Sequence, residues 1–494
     1  LPAAVAGREH PIDRIVDAYF AEHKIERPAP ADDAVFLRRA SLDLVGLLPS
    51  PEELDAFVAD KASDKRAAAV ARLLDQRRAY TDHWLTFWND LLRNDYAGTG
   101  YIDGGRGQIT GWLYNALYNN KPYDQFVQEL VAPKPESDGF IRGIKWRGRV
   151  NSSQTPEIQF SQNISQVFLG INMKCASCHD SFIDDWKLDD AYGLAAITSD
   201  RALEIHRCDH PTGETAKAKF FWPELGEIDA AAPRPKRLEQ LSKLLTKQEN
   251  GRFARTIVNR YWERLMGRGV VHPVDMMGNE PWSEDLLDWL AADFVAHNHD
   301  LKHLLRRITT SEIYQAQGIL LDEEPAAGEF TFGGPLPKRM NAEQYLDSIW
   351  QLTAAGPNKP NAGVQLPAPQ RQPYLLRASL VVSDPLMRSL GRPNREQVVT
   401  TRPADLTTLQ ALDLSNGEQL YTTLTRGAAH LIKQHPDAAA PQLIEQVFRR
   451  SLGRTPTAEE LETALQLVGD PVQQEGLADL LWVIVMLPEF QLIR

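Results

Sequence analysis

Thr155-Pro156-Glu157-Ile158-Gln159-Phe160 opens a stretch that ends at Cys175-Ala176-Ser177-Cys178-His179. A Thr followed by Pro marks a capped helix start, with Pro at the first helical position. Ile158, Phe160, Ile164, Val167 and Phe168 then recur at helical spacing. The spacing predicts a helix running into the pentad, which stands at its C-terminal end or in the loop beyond. In an exported protein, C-x-x-C-H is the attachment pattern of c-type haem. The two thiols add to the haem vinyl groups, and the adjacent His reaches the iron. C-x-x-C alone also serves as a redox pair, a disulfide or half a zinc site. The residues by themselves leave those readings open.

Downstream, His206-Arg207-Cys208-Asp209-His210 places two His and a Cys at alternate positions. On an extended segment all three face one side. With Cys175 and Cys178 they would make a tetrahedral zinc set. The same segment serves a haem, which takes a second axial ligand or keeps an open pocket. His206 is the first candidate for that ligand and Met276 or Met277 the second, while Met173 is too close along the chain. Asp43, Asp95, Asp275 and Glu280 lie near aromatic or Gly-rich segments, but no pair has a spacing that compels acid/base chemistry. There is no Gly-x-Ser-x-Gly, phosphate loop or dinucleotide fingerprint. Any catalysis is therefore expected to rest on the cofactor. Haem enzyme and electron-transfer protein both stand, and so do a haem-free glycan-binding or scaffold protein whose C-x-x-C is a disulfide, and a zinc-site protein.

Working outward, helix patterns recur along the whole chain. Ser50-Pro51-Glu52-Glu53 and Thr457-Ala458-Glu459-Glu460 are helix starts with a capping box. Phe36-Leu37-Arg38-Arg39 and Phe448-Arg449-Arg450 precede them in similar places, a local likeness between two helix hairpins. Trp84, Phe87 and Trp88 give residues 80–94 an aromatic face that reads as core. Residues 94–108 are Gly-rich, and 139–155 hold Arg142, Lys145, Arg147 and Arg149 with few helix signals, a place for short strands and for pairing with an anionic group. The expected class is mainly α: two helical domains with long irregular loops and few short strands. The expected boundaries are 1–200 for a domain carrying the C-x-x-C-H motif, 201–248 for a Pro-rich connector, and 249–494 for a C-terminal helical domain.

At 494 residues the chain has room for two or three domains. Its formal charge of −12 argues against nucleic acid, which needs a basic surface. No apolar run approaches the ~20 residues of a membrane span. Three cysteines exclude a disulfide scaffold. The chain begins with Leu1 rather than Met, so an upstream leader or domain is expected.

With these residues in view, the chain resembles the large secreted proteins of planctomycetes and their relatives. These join a Planctomycete-cytochrome-C-like domain of unknown function to a second planctomycete domain of unknown function. The first is carried by Leu37-Arg38-Arg39-Ala40-Ser41-Leu42-Asp43-Leu44-Val45-Gly46, by Lys121-Pro122-Tyr123-Asp124, and by Phe168-Leu169-Gly170 through His179 to Tyr192-Gly193-Leu194. The second is carried by Arg252-Phe253-Ala254-Arg255 through Tyr261-Trp262, by Gly267-Arg268-Gly269, by Leu286-Leu287-Asp288-Trp289, and by Arg392-Pro393-Asn394-Arg395-Glu396. The resemblance implies export to the periplasm or beyond, and one covalent haem c on Cys175, Cys178 and His179. It also implies a role around the breakdown of complex carbohydrate, and a haem protein of this kind is expected to meet a redox partner protein. In one departure, Phe87 stands where such proteins often carry His, so the resemblance carries no distal ligand over to that position.

Overall fold

Ser50 accepts a hydrogen bond from the Glu53 N–H, and the Glu53 carboxylate accepts one from the Ser50 N–H; together they start the helix Pro51–Ala59. Thr457 and Glu460 do the same for Ala458–Val468. Gly46 (φ 67°) and Gly453 (φ 73°) end the preceding helices, Asp33–Val45 and Ala440–Leu452, in the left-handed region. The computed structural model describes residues 1–96, 106–142, 154–321, 323, 325, 328–368, 375–403 and 406–494. Among these the protein is mainly helical. The only sheets among the described residues are two short antiparallel pairs: β1 (Glu204–Arg207) with β2 (His210–Thr215), and β3 (Lys338–Arg339) with β4 (Leu492–Ile493).

The two similar hairpins pack on each other. Arg38 donates to the carbonyls of Ser451 at 2.8 Å and Phe490 at 2.9 Å, and Arg449 pairs with Asp55. The chain's ends are thereby held together.

The aromatic helix Arg77–Leu91 is wrapped on nearly all sides, with Trp84, Phe87 and Trp88 buried. Trp84 stacks on Tyr261 from the helix Gly251–Met266 at 4.6 Å and 8°. Tyr123 stacks likewise on Phe253 at 4.8 Å and 9°. One hydrophobic core thus continues from Ile12 to Ile493 through both halves of the chain. Ion pairs cross the same boundary: Arg402 forks onto Asp90 and Glu343, and Arg395 reaches Asp90 at 2.9 Å.

The stretch 201–248 carries structure of its own. It forms the β1–β2 hairpin and the helix Arg234–Leu245, which packs on Tyr123–Val131 and Leu188–Thr198. Arg237 donates from Nε to the Ile197 carbonyl at 3.0 Å. Of the expected short strands in 139–155, Gly139–Arg142 is instead one helical turn. Residues 143–153, with Lys145, Arg147 and Arg149, lie outside the described residues, as do 97–105 of the Gly-rich stretch. No described helix is long and apolar enough to cross a membrane.

Candidate functional site

The helix Pro156–Leu169 begins with Thr155, whose hydroxyl accepts from the Ile158 N–H. It ends at Gly170, in the left-handed region with φ 60°. A Cβ at Gly170 would lie 2.3 Å from Met277 Cγ, so glycine is required there both for its conformation and for the close approach. The buried Arg260 closes this helix end: its guanidinium donates to the carbonyls of Val167 and Gln166 and pairs with Asp275 at 3.1 Å. A cation on the last carbonyls complements the negative end of the helix dipole.

From this anchored end the chain folds into a single helix-like turn. The Ser177 N–H donates to the Met173 carbonyl at 2.9 Å, and the N–H groups of Cys178 and His179 donate to Cys175 O at 3.0 and 3.2 Å. Ser177 is fully buried; its hydroxyl donates to Met173 O at 2.7 Å and accepts from Gln162 Nε2 at 2.9 Å. Ala176 is buried beside it. The two spacer residues therefore pin the turn inward, while Cys175, Cys178 and His179 keep partial solvent access. Positions i, i+3 and i+4 of one turn share a face.

His179 Nδ1 stands 2.8 Å from the Asp180 carbonyl oxygen. A carbonyl only accepts, so Nδ1 carries the proton and Nε2 keeps the lone pair of the neutral ring. Phe182 packs on the imidazole at 4.6 Å and is 87% exposed, and Ile183 beside it is 66% exposed. Two such residues in succession form an apolar ledge next to the His.

The other candidates from the sequence lie on segments that make backbone contacts with this turn or with the helix end before it. Cys208, at the β1–β2 turn, donates its N–H to Cys178 O at 2.7 Å. His206 lies on β1 two residues before it, half-buried, with Nδ1 3.2 Å from Glu204 O. Met276 forms an isolated antiparallel bridge with Ile171, and the Met277 N–H donates to Gly170 O at 3.0 Å. The Met277 sulfur faces inward and accepts from Asn259 Nδ2 at 3.3 Å, so it already serves the core. His206 and Met276 remain the more open of the three. No disulfide joins Cys175, Cys178 or Cys208. The Cys and His residues of these two segments form no group of three converging ligand atoms among the described residues.

One such group does form, Asp293, His297 and His303. Its charge balance is already met, since Arg307 lies 3.3 Å from Asp293 Oδ1 and His303 Nε2 is 2.7 Å from Oδ2. Of the carboxylates singled out in the sequence, Asp43 is held by Lys338 at 2.7 Å and Tyr314 at 2.8 Å. Asp275 receives Thr400 at 2.6 Å as well as Arg260. Asp95 faces Arg395 at 3.6 Å, and Glu280 is on the surface. Sequence reasoning did not anticipate the Arg260 and Gln162 supports, which sit 85 residues downstream and 13 residues upstream of Cys175 respectively. A buried-type helix position occupied by Arg was the one available signal.

Two family models match. PSCyt2, a protein of unknown function (DUF1549), covers residues 11–202, and PSD1, a protein of unknown function (DUF1553), covers residues 236–468. No curated protein and no solved structure matches the chain. The pentad falls in the first matched segment, and Arg260, Met276 and Met277, which hold its base, fall in the second. The chain thus belongs to the planctomycete-type proteins that join a PSCyt2 domain to a PSD1 domain, both of unknown function.

Proposed function

We propose that Cys175-Ala176-Ser177-Cys178-His179 is a covalent attachment site for one haem c. On this reading the protein works in the periplasm or outside the cell, either passing electrons to a redox partner protein or oxidising a carbohydrate. The observation that carries this reading is the His179 imidazole. Its Nδ1 proton is committed to Asp180 O, which leaves Nε2 as an iron ligand. The residues fit the group in three further respects. Cys175 and Cys178 lie one turn apart on a half-open face, Ala176 and Ser177 hold that turn rigidly, and Phe182 and Ile183 offer apolar surface beside it. Cys175 and Cys178 would carry the two thioether bonds and His179 the proximal bond. His206 is the leading distal candidate and Met276 the second. Haem, when bound, supplies one-electron chemistry whose character depends on its sixth position. The chain's contribution is to fix the turn, orient the imidazole and shield one side.

The test is expression of the exported chain with a haem-maturation system, followed by a pyridine haemochrome assay. A covalent c-type spectrum is expected. A colourless protein would overturn the reading, and metal analysis and thiol titration of it would then separate a zinc site from a Cys175–Cys178 disulfide. Replacement of His206 is expected to change the spin state if that residue fills the sixth position.

A further inference from the structure

A second site lies where the two matched segments meet. It is a cleft of about 280 Å³, lined by Asp43 and His83 from the first and by Arg264, Lys338, Arg339 and Arg402 from the second. Its cations are not equivalent. The Lys338 ammonium has all three donors satisfied, by Asp43 Oδ1 at 2.7 Å and by the carbonyls of Arg264 and Leu265 at 2.8 Å. Arg402 is neutralised by Asp90 and Glu343 through four hydrogen bonds.

Arg264 and Arg339 differ. Arg264 has no hydrogen-bond or ion-pair partner among the described residues; its guanidinium lies over the Phe87 ring at 5.4 Å. Arg339 meets only the uncharged amide oxygens of Gln410 and Gln491, at 3.4 and 3.3 Å. Both are half-buried. Asp90, Glu263 and Glu343 act on Arg264 only from beyond hydrogen-bond reach, so neither guanidinium has an anion bonded to its donors. The protein as a whole carries a formal charge of −12, so two guanidinia in one cleft with no anion bonded to them run against its general charge. The neighbouring Glu263 does not cancel them. Burial pushes its carboxyl up to about 7, and it makes one long hydrogen bond, from Thr401 at 3.5 Å.

We propose that this cleft binds a small ligand through a carboxylate or sulfate group, held by Arg264 and Arg339. A guanidinium fork matches the two oxygens of either anion. The uncharged part of the lining, with Gln410 and Thr401, suits the hydroxyl-bearing remainder of an acidic sugar. The site is independent of the pentad, so its test does not depend on haem attachment.

The test is calorimetric titration of the full chain, at ionic strength held constant with chloride, with inorganic sulfate, D-glucuronate and neutral D-glucose. Saturable one-site binding of sulfate or glucuronate is expected, with glucose silent. Tighter binding of glucuronate identifies an acidic sugar as the ligand, and tighter binding of sulfate identifies a free inorganic anion. Arg264→Gln and Arg339→Gln are each expected to weaken binding about tenfold or more. No saturable heat with either anion overturns the proposal, as does binding that both variants retain. If a variant does not fold, a selenate soak of wild-type crystals gives the answer: an anomalous peak against Arg264 and Arg339 supports the site, and its absence overturns it.

Discussion

The backbone N–H of Cys208 donates to the carbonyl oxygen of Cys178 at 2.7 Å, so the tip of the β1–β2 hairpin is docked on the second cysteine of the pentad. Cys208 takes φ 52°, a left-handed conformation that costs a non-glycine residue ~1 kcal/mol. Cys208→Gly keeps the donor and relaxes that conformation. Cys208→Pro removes the donor and cannot adopt the angle. The Gly variant is expected to melt at or above the wild-type temperature with an unchanged visible spectrum. The Pro variant is expected to melt lower and, if His206 fills the sixth position, to change spin state. Equal spectra and melts for the two variants would show that the docking is irrelevant to both.

Arg260 carries the next prediction, because it joins the PSD1 segment to the helix end that launches the pentad. Replacement by Met keeps much of the volume but leaves the Val167 and Gln166 carbonyls and Asp275 without their cation. Removing one partner from such a buried set costs ~3–5 kcal/mol. Urea unfolding is expected to show a loss of that order. Hydrogen exchange is expected to quicken first at Met173–His179, the turn that this helix end supports. Unchanged exchange there would detach Arg260 from the pentad.

The helices were readable in the sequence because their starts and stops are local. Ser50-Pro51-Glu52-Glu53 and Thr457-Ala458-Glu459-Glu460 each supply both halves of a capping box within four residues. The aromatic face of Trp84, Phe87 and Trp88 was likewise readable as core, since periodicity reports burial. The strand pair at 204–215 was not. All six β2 residues are polar, Pro or Gly and all six are exposed, so no alternation marks it. The pentad's chemistry was visible from three residue types, but its support was not. Arg260, Gln162 and the Cys208 N–H act across the fold, and no spacing along the chain announces a contact of that kind. That no carboxylate bonds Arg264 was hidden for a related reason: whether an Arg gains a bonded counter-ion depends on what long-range packing places beside it.

Asp90 and Arg402 offer a third test. Asp90 lies on the aromatic helix and takes two bonds from Arg402, at 2.7 and 3.2 Å, and one from Arg395 at 2.9 Å. Burial alone would raise the Glu343 carboxyl, but Arg402 and Arg392 hold it well below the usual carboxylate range. Arg402→Met is expected to cost ~3–5 kcal/mol in urea unfolding, because two buried carboxylates lose their shared counter-ion. Asp90→Asn is expected to be milder in the Met background than in wild type, since in wild type Arg402 offsets the repulsion between Asp90 and Glu343 and in the Met variant it no longer does. Additive single and double variants would show that the pair is not coupled.

Glu263 makes the stability of the fold depend on pH in a direction that can be worked out. Burial raises its carboxyl from 4.5 to about 7, against the pull of Arg264 and Arg260. Between those values the folded state binds more protons than the unfolded one. The stability this group contributes is therefore complete at low pH, falls as pH rises from about 4.5 to about 7, and levels off above. The full shift corresponds to ~3 kcal/mol, and solvent reaching Glu263 through the cleft reduces it to ~1–2 kcal/mol. Asp82, pushed up to about 6 by burial, acts in the same direction. His10 and His83, kept neutral by burial, act oppositely, because they take up protons on unfolding below about pH 6.5. A wild-type curve sums all of these, whereas its difference from Glu263→Gln isolates one. Relative to wild type, the Gln variant is expected to gain ~1–2 kcal/mol between about pH 4.5 and about pH 8 in urea unfolding. A difference that stays constant across that range would mean Glu263 titrates as an ordinary surface carboxylate. An oxyanion bound at Arg264 would steepen the effect, since a second negative charge in the cleft favours the protonated form of Glu263 further.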